Sequence, residues 1–211
     1  MHIPDGFLDL KTWAALDVVS AGALAVAVNK TRRVLGEKHI PLMGVIAAFI
    51  FAAQMLNFPV AGGTSGHFMG GVLAAILLGP LSGVVIMAVV LIVQCLVFQD
   101  GGITALGANV FNMGVIGSIA GYYIYKGISR LGLKGKLDFV AAFIAAWLSI
   151  VLAASACAVE LAISGTVPLN ISLPAMAGVH AIIGIGEALI TVIVLSVITK
   201  VRPDLREIEK V

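Results

Sequence analysis

The chain has 211 residues, the length of a single domain, and it is 60% hydrophobic but only 11% charged, with a mean hydropathy of +1.10. About a quarter of the residues of an average soluble domain are charged, so this composition excludes an ordinary soluble protein and predicts a multi-pass protein of the cell membrane. The formal net charge of +2 says little by itself, because the distribution of the charges carries the information.

Seven apolar stretches are candidates for membrane spans, each of which needs about 20 mainly apolar residues. We therefore predict an all-α membrane helix bundle with seven transmembrane helices, in one integral-membrane domain that covers residues 1–211. The predicted spans are 10–30, 40–57, 67–79, 80–99, 107–127, 138–163 and 174–199. Because the third is short and the first is the least hydrophobic, six spans with an accessory helix are the alternative.

The basic residues predict the orientation, since they accumulate on the cytoplasmic side of a membrane. With seven spans, 12 of the 13 basic residues fall on one side, and Lys11 is the exception. They form three groups: Lys30, Arg32, Arg33 and Lys38; Lys126, Arg130, Lys134 and Lys136; and Lys200, Arg202, Arg206 and Lys210. We expect the N-terminus outside and the C-terminus in the cytoplasm.

The N-terminus does not look like a cleavable signal peptide. It lacks a basic region, and Asp5, Asp9 and Asp17 precede or enter the first apolar stretch. Because His2 is bulky, we also expect Met1 to be retained. The predicted mature chain therefore begins with a free amine on the outer side of the membrane.

Polar side chains concentrate toward the outer half of the predicted bundle, where a buried polar group is expensive and usually faces a cavity or a partner. They are His2, Asp5, Ser65, His67, Gln94, Asn109, Asn112 and His180. Glu187 is deeper, and it shares a helix face with His180 because seven residues make about two turns. Ser65 and His67 lie in the glycine-rich loop VAGGTSGHFMGG, which can pack closely around a ligand or another segment.

A histidine at position two can make a chelator of the chain end. The Met1 amine, the deprotonated His2 amide and the His2 imidazole Nδ1 close fused chelate rings with three nearly coplanar nitrogens. One further nitrogen completes a square, an arrangement that favours Ni(II) or Cu(II). We therefore predict a metal-binding segment at 1–9. His67 is the natural fourth donor, and His180 is either an alternative donor or a hydrogen-bonded structural residue.

The N-terminal MHIPDGFL, the loop GGTSGHF and the stretch GVHAIIGIGEALIT together resemble the CbiM/NikM family, along nearly the whole chain. These proteins are the substrate-binding (S) components of energy-coupling-factor (ECF) transporters for nickel and cobalt. The resemblance implies that Met1, His2 and His67 bind the metal. It implies supporting or coupling roles for His180 and Glu187. It also implies that Asn109, Asn112 and Ser65 are polar residues around the binding loop.

The same resemblance implies the partners. The chain contains no GxxxxGK[ST] motif, so we expect no ATP hydrolysis by this polypeptide and no enzymatic activity of its own. The implied partners are a transmembrane coupling subunit, ATPase subunits and a small accessory membrane subunit, with lipid around them and no nucleic acid. Ni²⁺, favoured on chemical grounds, or Co²⁺ is the transported substrate, and no organic cofactor is expected.

Two other functions fit parts of the sequence. A stand-alone secondary metal carrier would use the same metal site without ATPase partners. An intramembrane serine protease would use the GTSG sequence at 63–66, with Ser65 as nucleophile and His180 as base. The protease hypothesis leaves the MHIPDG sequence unexplained.

Overall fold

In the computed structural model, which describes residues 1–35, 39–131 and 136–201, the chain forms a helix bundle with one short hairpin. The first half consists of α1 (Leu10–Leu35), α2 (Ile40–Gln54), β1 (Asn57–Pro59), β2 (Ser65–His67), α3 (Gly71–Leu78) and α4 (Pro80–Phe98). The second half consists of α5 (Leu106–Asn109), a π-helical segment (Val110–Ala120), α6 (Gly121–Ser129), α7 (Lys136–Ile163) and α8 (Leu169–Val201). The predicted helical class is confirmed, with an antiparallel two-stranded sheet added to it.

Within the described part of the chain, four helical stretches are long and apolar enough to cross a membrane: Leu10–Val34, Pro80–Phe98, Asp138–Ile163 and Leu169–Val201. The helix Ile40–Gln54 is apolar but shorter. The continuous helical stretch 106–129 corresponds to the fifth predicted span. The count of seven spans therefore stays a prediction, and so do the sides on which the termini lie. Of the basic residues used for orientation, Lys38, Lys134, Arg202, Arg206 and Lys210 lie outside the described residues.

The predicted helical span 67–79 differs from the structure at its start. His67 ends strand β2, and α3 begins only at Gly71. The break occurs at Gly70, whose φ of +82° belongs to the left-handed region that glycine adopts readily. At 1.5 Å per residue the eight residues of α3 extend about 12 Å, well short of a bilayer core of about 30 Å.

Small residues allow α7 to pack closely against its neighbours. Its fully buried positions include Ala141, Ala145, Ala153 and Ala154, and α8 runs alongside it. Small side chains at helix contacts bring backbones together in lipid, where dispersion forces rather than water exclusion hold helices to one another.

The outward faces of α1 and α8 are apolar. Val18 of α1 is 74% exposed and Ile182 of α8 is 73% exposed. Exposed apolar surface on this scale would be a liability in water and is the surface that lipid covers. Together with the four long apolar helices, it identifies a multi-pass membrane protein.

Candidate metal centre

The first three residues of the chain are buried, although chain ends are usually frayed unless they are tied down. Met1 and Ile3 have no exposed surface, and His2 is also buried. The Ile3 N–H donates to Oδ1 of Asn109 at 2.8 Å, and the Ile3 carbonyl accepts from Asn109 Nδ2 at 3.2 Å and from the Gly102 N–H at 2.8 Å. These three hydrogen bonds hold the end of the chain in a defined position.

Asp5 holds the same N-terminal segment through a second set of hydrogen bonds. Its carboxylate accepts hydrogen bonds from the Ile103 N–H at 3.1 Å, the Thr104 N–H at 2.8 Å and the Thr104 hydroxyl at 2.5 Å. The bonds from Thr104 hold the pKa of Asp5 below its ordinary value. Gly102 packs so closely on the Asp5 backbone that a Cβ there would overlap it. Loop 100–104 therefore packs against the N-terminal segment and holds it in place.

The hairpin brings the glycine-rich loop beneath this segment. Strands β1 and β2 pair with Asn57 opposite His67 and Pro59 opposite Ser65. Gly66 lies between Ser65 and His67, and a Cβ there would come within 2.6 Å of the end of the Ile183 side chain on α8. Strand β2 therefore approaches α8 closely at this glycine.

The Met1 amine, His2 and His67 converge in this buried space. The amine nitrogen lies 3.0 Å from His67 Nε2 and 2.9 Å from Ser65 Oγ, and it also donates to the Ser65 carbonyl. The His2 amide N–H donates to the same Ser65 Oγ at 3.1 Å. The imidazole rings of His2 and His67 stack with their centroids 4.5 Å apart. Residues 66 positions apart in the sequence are thereby in direct contact.

Hydrogen bonds fix which ring nitrogen of each histidine is free. His2 Nε2–H donates to Gln94 Oε1 at 2.9 Å, which leaves Nδ1 as a lone pair without a hydrogen-bond partner. His67 Nδ1–H donates to the Phe68 carbonyl at 2.7 Å, which leaves Nε2 as the lone pair facing the Met1 amine. Metal-binding histidines usually donate their second ring N–H to a carbonyl or a similar acceptor, and both rings here have that arrangement.

Burial keeps all three groups uncharged near neutral pH. It lowers the pKa of the Met1 amine from 8.0 to about 5 and is the main cause that lowers the pKa of His2 to about 3. It also holds the pKa of His67 well below its ordinary value, with the nearby Met1 amine and His2 adding to the effect. Metal ligands must be deprotonated to bind, and here no proton has to leave these three groups first.

The candidate donors are all nitrogens, two of them from the backbone of the chain end. In a square plane with metal–nitrogen bonds of about 2.0 Å, adjacent nitrogens are about 2.8 Å apart, close to the 3.0 Å between the Met1 amine and His67 Nε2. Within residues 1–35, 39–131 and 136–201, no group of three or more His, Cys, Asp or Glu side chains could hold a metal ion. The position of His2 next to the chain end, rather than a cluster of side chains, is therefore what indicates a metal site here.

The predicted supporting residues differ in how directly they contact the N-terminal segment and His67. Ser65 contacts two of the nitrogens, and Asn109 holds Ile3, as described above. Glu187 accepts hydrogen bonds from the Met69 N–H at 2.7 Å and the Gly70 N–H at 2.9 Å. It thus fixes the backbone that follows His67 rather than facing the donor nitrogens.

The other two predicted supporting residues do not contact the candidate donor nitrogens. Asn112 donates to the Glu160 carboxylate at 2.7 Å, at the contact of the π-helical segment with α7, and does not touch the N-terminal segment. His180 Nδ1–H donates to the Met176 carbonyl at 2.7 Å, and its ring also lies against the Ser65 backbone. His180 is thus next to the hairpin, with one ring nitrogen committed to its own helix.

The geometry also bears on the protease hypothesis. The Ser65 hydroxyl bonds with the Met1 amine and the His2 N–H, while His180 is turned to the Ser65 backbone. A nucleophile must lie within hydrogen-bond reach of its base. The hydroxyl is instead occupied by the chain end, and the contacts do not form a Ser–His dyad.

Two contacts of His2 were not predicted from the sequence. Gln94 stood out only as one of several polar residues, yet it fixes the tautomer of His2. Asp100 did not stand out, although its Oδ1 lies 3.4 Å from His2 Nδ1. Its sequence signal is a carboxylate directly before two glycines, QDGG, at the end of an apolar stretch.

Comparisons with known proteins identify the family of the chain. A family model described as the cobalt uptake substrate-specific transmembrane region, CbiM, matches residues 2–205. A putative fused nickel transport protein, NikMN, of Archaeoglobus fulgidus is 49% identical over 209 residues, covering 98% of this chain and 68% of that protein. The cobalt transport protein CbiM of Acetoanaerobium sticklandii is 34% identical, covering 97% of this chain and 86% of its own length.

Solved structures give the same result for the fold. The crystal structure of a truncated transition metal transporter superposes with a TM-score of 0.90 at 35% sequence identity, covering 95% of this chain and 99% of that one. A second transition metal transporter structure superposes with a TM-score of 0.89, also at 35% identity. These related proteins are named as transporters and not as enzymes.

Proposed function

Since the chain belongs to the CbiM family of cobalt uptake substrate-specific transmembrane regions, we propose that it binds Ni²⁺ or Co²⁺ as the substrate-binding component of an ATP-driven ECF transporter. The family and the named relatives assign the chain to metal uptake by a transporter. The proposal adds the binding residues, the preferred metal and the source of energy.

One observation carries the proposal: the buried chain end presents its amine to His67, while His2 Nδ1 and His67 Nε2 are the ring nitrogens left as free lone pairs. We assign the four donors as the Met1 amine, the His2 amide nitrogen, His2 Nδ1 and His67 Nε2. The His2 amide proton is released to solvent when the metal binds. Ser65 Oγ, which contacts the first two nitrogens, holds them in position before the metal arrives.

The donor set favours nickel. Four nitrogens in a rigid plane suit Ni(II), which accepts square-planar geometry, whereas oxygen-preferring ions such as Mg²⁺ and Ca²⁺ are poor matches. The relatives are named for both nickel and cobalt. We therefore propose Ni²⁺ as the preferred substrate and Co²⁺ as the alternative.

Energy for uptake comes, in this proposal, from partner subunits. The chain has no phosphate-binding GxxxxGK[ST] loop, so a transmembrane coupling subunit and ATPase subunits supply the work, and a small accessory membrane subunit joins them. The site lies on the outer side, with the C-terminus in the cytoplasm. Uptake that persists in cells without any of the ATPase partners would favour a stand-alone secondary carrier instead.

The test is to move or remove the donors of the chain end. One alanine added before Met1 shifts the amine away from His2, and His2→Ala removes the imidazole. We expect both variants to fold and to lose tight Ni²⁺ binding, measured by metal content after purification and by competition with a chelator. His39→Ala, at the start of α2, is the control and should bind as the parent does. Tight binding by the extended chain would refute the proposed site.

A second pair of variants identifies the fourth donor. His67→Ala should abolish the planar Ni²⁺ spectrum, because it removes the nitrogen that faces the Met1 amine. His180→Ala should retain that spectrum with weaker binding, because the Met1 amine faces His67 Nε2 whereas the His180 ring lies against the Ser65 backbone. The reverse result would make His180 the fourth donor.

A further inference from the structure

An open cavity of about 370 Å³ leads to the proposed donors. Its wall includes His2, Ser65, Asn57 and Asp100, so it joins the N-terminal segment, the hairpin and loop 99–101. Asp100 is the one carboxylate among the described residues that line it. A cation that enters by this route meets the Asp100 carboxylate beside His2.

The Asp100 carboxylate is held in place by the residues that hold His2. The Gln94 carbonyl accepts from the Asp100 N–H at 3.0 Å, while the Gln94 side chain accepts from His2 Nε2–H. Asn57 Nδ2 donates to Asp100 Oδ2 at 3.3 Å. Oδ1 is left facing His2 Nδ1 at 3.4 Å. Gln94 therefore sets the position of both groups.

In the contact between His2 and Asp100, a lone pair of His2 Nδ1 faces a lone pair of Asp100 Oδ1. The proton of the His2 ring is on Nε2, as its bond to Gln94 requires, so Nδ1 has no hydrogen to share with the carboxylate. His2 Nδ1 is buried and has no hydrogen-bond partner. An imidazole nitrogen and a carboxylate oxygen that converge without a proton between them are unfavourable neighbours, unless a cation lies between or beside them.

The charge of the loaded site gives the second argument, which rests on the proposed function. Three of the four donors are neutral, namely the amine and the two imidazoles, and the deprotonated His2 amide carries one negative charge. A divalent ion therefore leaves one net positive charge in a buried site, and a buried charge is costly unless it is paired. An ion about 2 Å from His2 Nδ1 is within a few ångströms of Asp100, whose charge makes the total zero.

We propose that Asp100 is the counter-charge of the transported metal: it attracts the divalent cation at the cavity mouth and neutralises the loaded four-nitrogen site. Asp100 is suited to both tasks because its side chain is 19% exposed, whereas that of His2 is 2% exposed. The cation can thus reach Asp100 from outside before it reaches the nitrogens.

The experiment compares Asp100→Ala, Asp100→Asn and Asp100→Glu with the parent chain, using Ni²⁺ alone as the probe. The association rate is followed by stopped-flow absorbance and the Kd by chelator competition, each at low and high salt. For both neutral variants we expect an association rate lower by about tenfold and a Kd higher by about 10- to 100-fold, with a weaker dependence on salt. Asp100→Glu should restore much of the rate.

The control is Asp138→Asn, because Asp138 is a partly exposed carboxylate in the first turn of α7 that does not line the cavity. It should bind as the parent does. The saturated neutral variants should keep the absorption spectrum of a four-nitrogen plane, since the donors are unchanged.

Three outcomes would overturn the assignment of Asp100. The first is an unchanged association rate and Kd in both neutral variants. The second is an effect in Asp100→Asn alone, which would mean that the new amide blocks His2 Nδ1. The third is loss of the planar spectrum in the neutral variants. Failure of the proposed function looks different, because the parent chain would then lack the planar spectrum whatever residue occupies position 100.

Discussion

His2 Nε2–H donates to Gln94 Oε1 across 2.9 Å, so a side chain in the last turns of α4 determines which nitrogen of the second residue can bind a metal. The bond links the chain end to a residue that lies 92 positions away. Without an acceptor at this position, the proton could move to Nδ1 and block the proposed donor.

Replacing Gln94 by leucine tests that link. The variant removes the acceptor and leaves a buried ring N–H unpaired, so we expect Ni²⁺ affinity to fall by about 10- to 100-fold, as it does when outer partners of metal ligands are removed. Gln94→Glu keeps an acceptor and should retain an affinity close to that of the parent. Affinities measured by chelator competition would contradict this role if the leucine variant bound as tightly as the glutamate variant.

Glu187 links α8 to the backbone that follows His67. Its two oxygens accept from the Met69 and Gly70 N–H groups, and a glutamine would turn one acceptor into a donor that faces an N–H. We expect Glu187→Gln to lower the unfolding free energy by about 1–3 kcal/mol and to weaken Ni²⁺ binding. Thermal unfolding in detergent and Ni²⁺ titration measure the two effects.

The matched control is Glu160→Gln on α7. Glu160 Oε2 accepts a hydrogen bond from Asn112 Nδ2, and a glutamine can keep this bond through its own oxygen. Its effect on Ni²⁺ affinity should be smaller than that of Glu187→Gln. Equal losses in the two variants would show that Glu187 contributes only general stability and does not position His67.

The lowered pKa of the Met1 amine predicts the number of protons released on metal binding. An exposed amine with its ordinary pKa of 8.0 is mostly protonated at pH 7, so binding would release its proton as well as the amide proton. With the pKa lowered to about 5, the amine is already neutral at pH 7. We expect about one proton per Ni²⁺, measured by calorimetry in buffers of different ionisation enthalpy. A value near two would contradict the neutral amine.

The same shift predicts how the metal-free protein responds to pH. Between pH 5 and 8 the unfolded amine binds a proton that the folded amine does not, so folding stability should rise with pH through this window. The pKa of His2 is lowered from 6.5 to about 3, so His2 adds a similar rise in folding stability between about pH 3 and pH 6.5. Melting temperatures across pH 5 to 8 should increase. The alanine-extended chain, if its amine is exposed, should lose the part due to Met1.

The sequence predicted the parts that depend on local pattern. Long apolar stretches located α1, α4, α7 and α8 because hydropathy is a property of contiguous residues. The chelating chain end is a prediction that the sequence alone allows, because three of its candidate donors belong to the first two residues. The need for one further nitrogen and the resemblance both point to His67 as the fourth.

The remaining features depend on contacts between distant segments. The hairpin was missed because its strands have three residues each and lie in a glycine-rich stretch. Asn112 was expected near the loop, but its partner is Glu160, 48 residues later. Asp100 became visible only when loop 99–101 was seen to lie against His2, because nothing in the sequence alone pairs the two.

The central claim is that the chain end itself binds the metal through a plane of four nitrogens. X-ray absorption at the nickel edge of the Ni²⁺-loaded protein tests it most directly, because the edge shape reports planar geometry and the fine structure reports the number and type of donors. We expect four nitrogen donors in a plane, including two from imidazole, and loss of this signature when one residue is added before Met1. Six-coordinate nickel with mainly oxygen donors, or an unchanged spectrum in the extended chain, would contradict it.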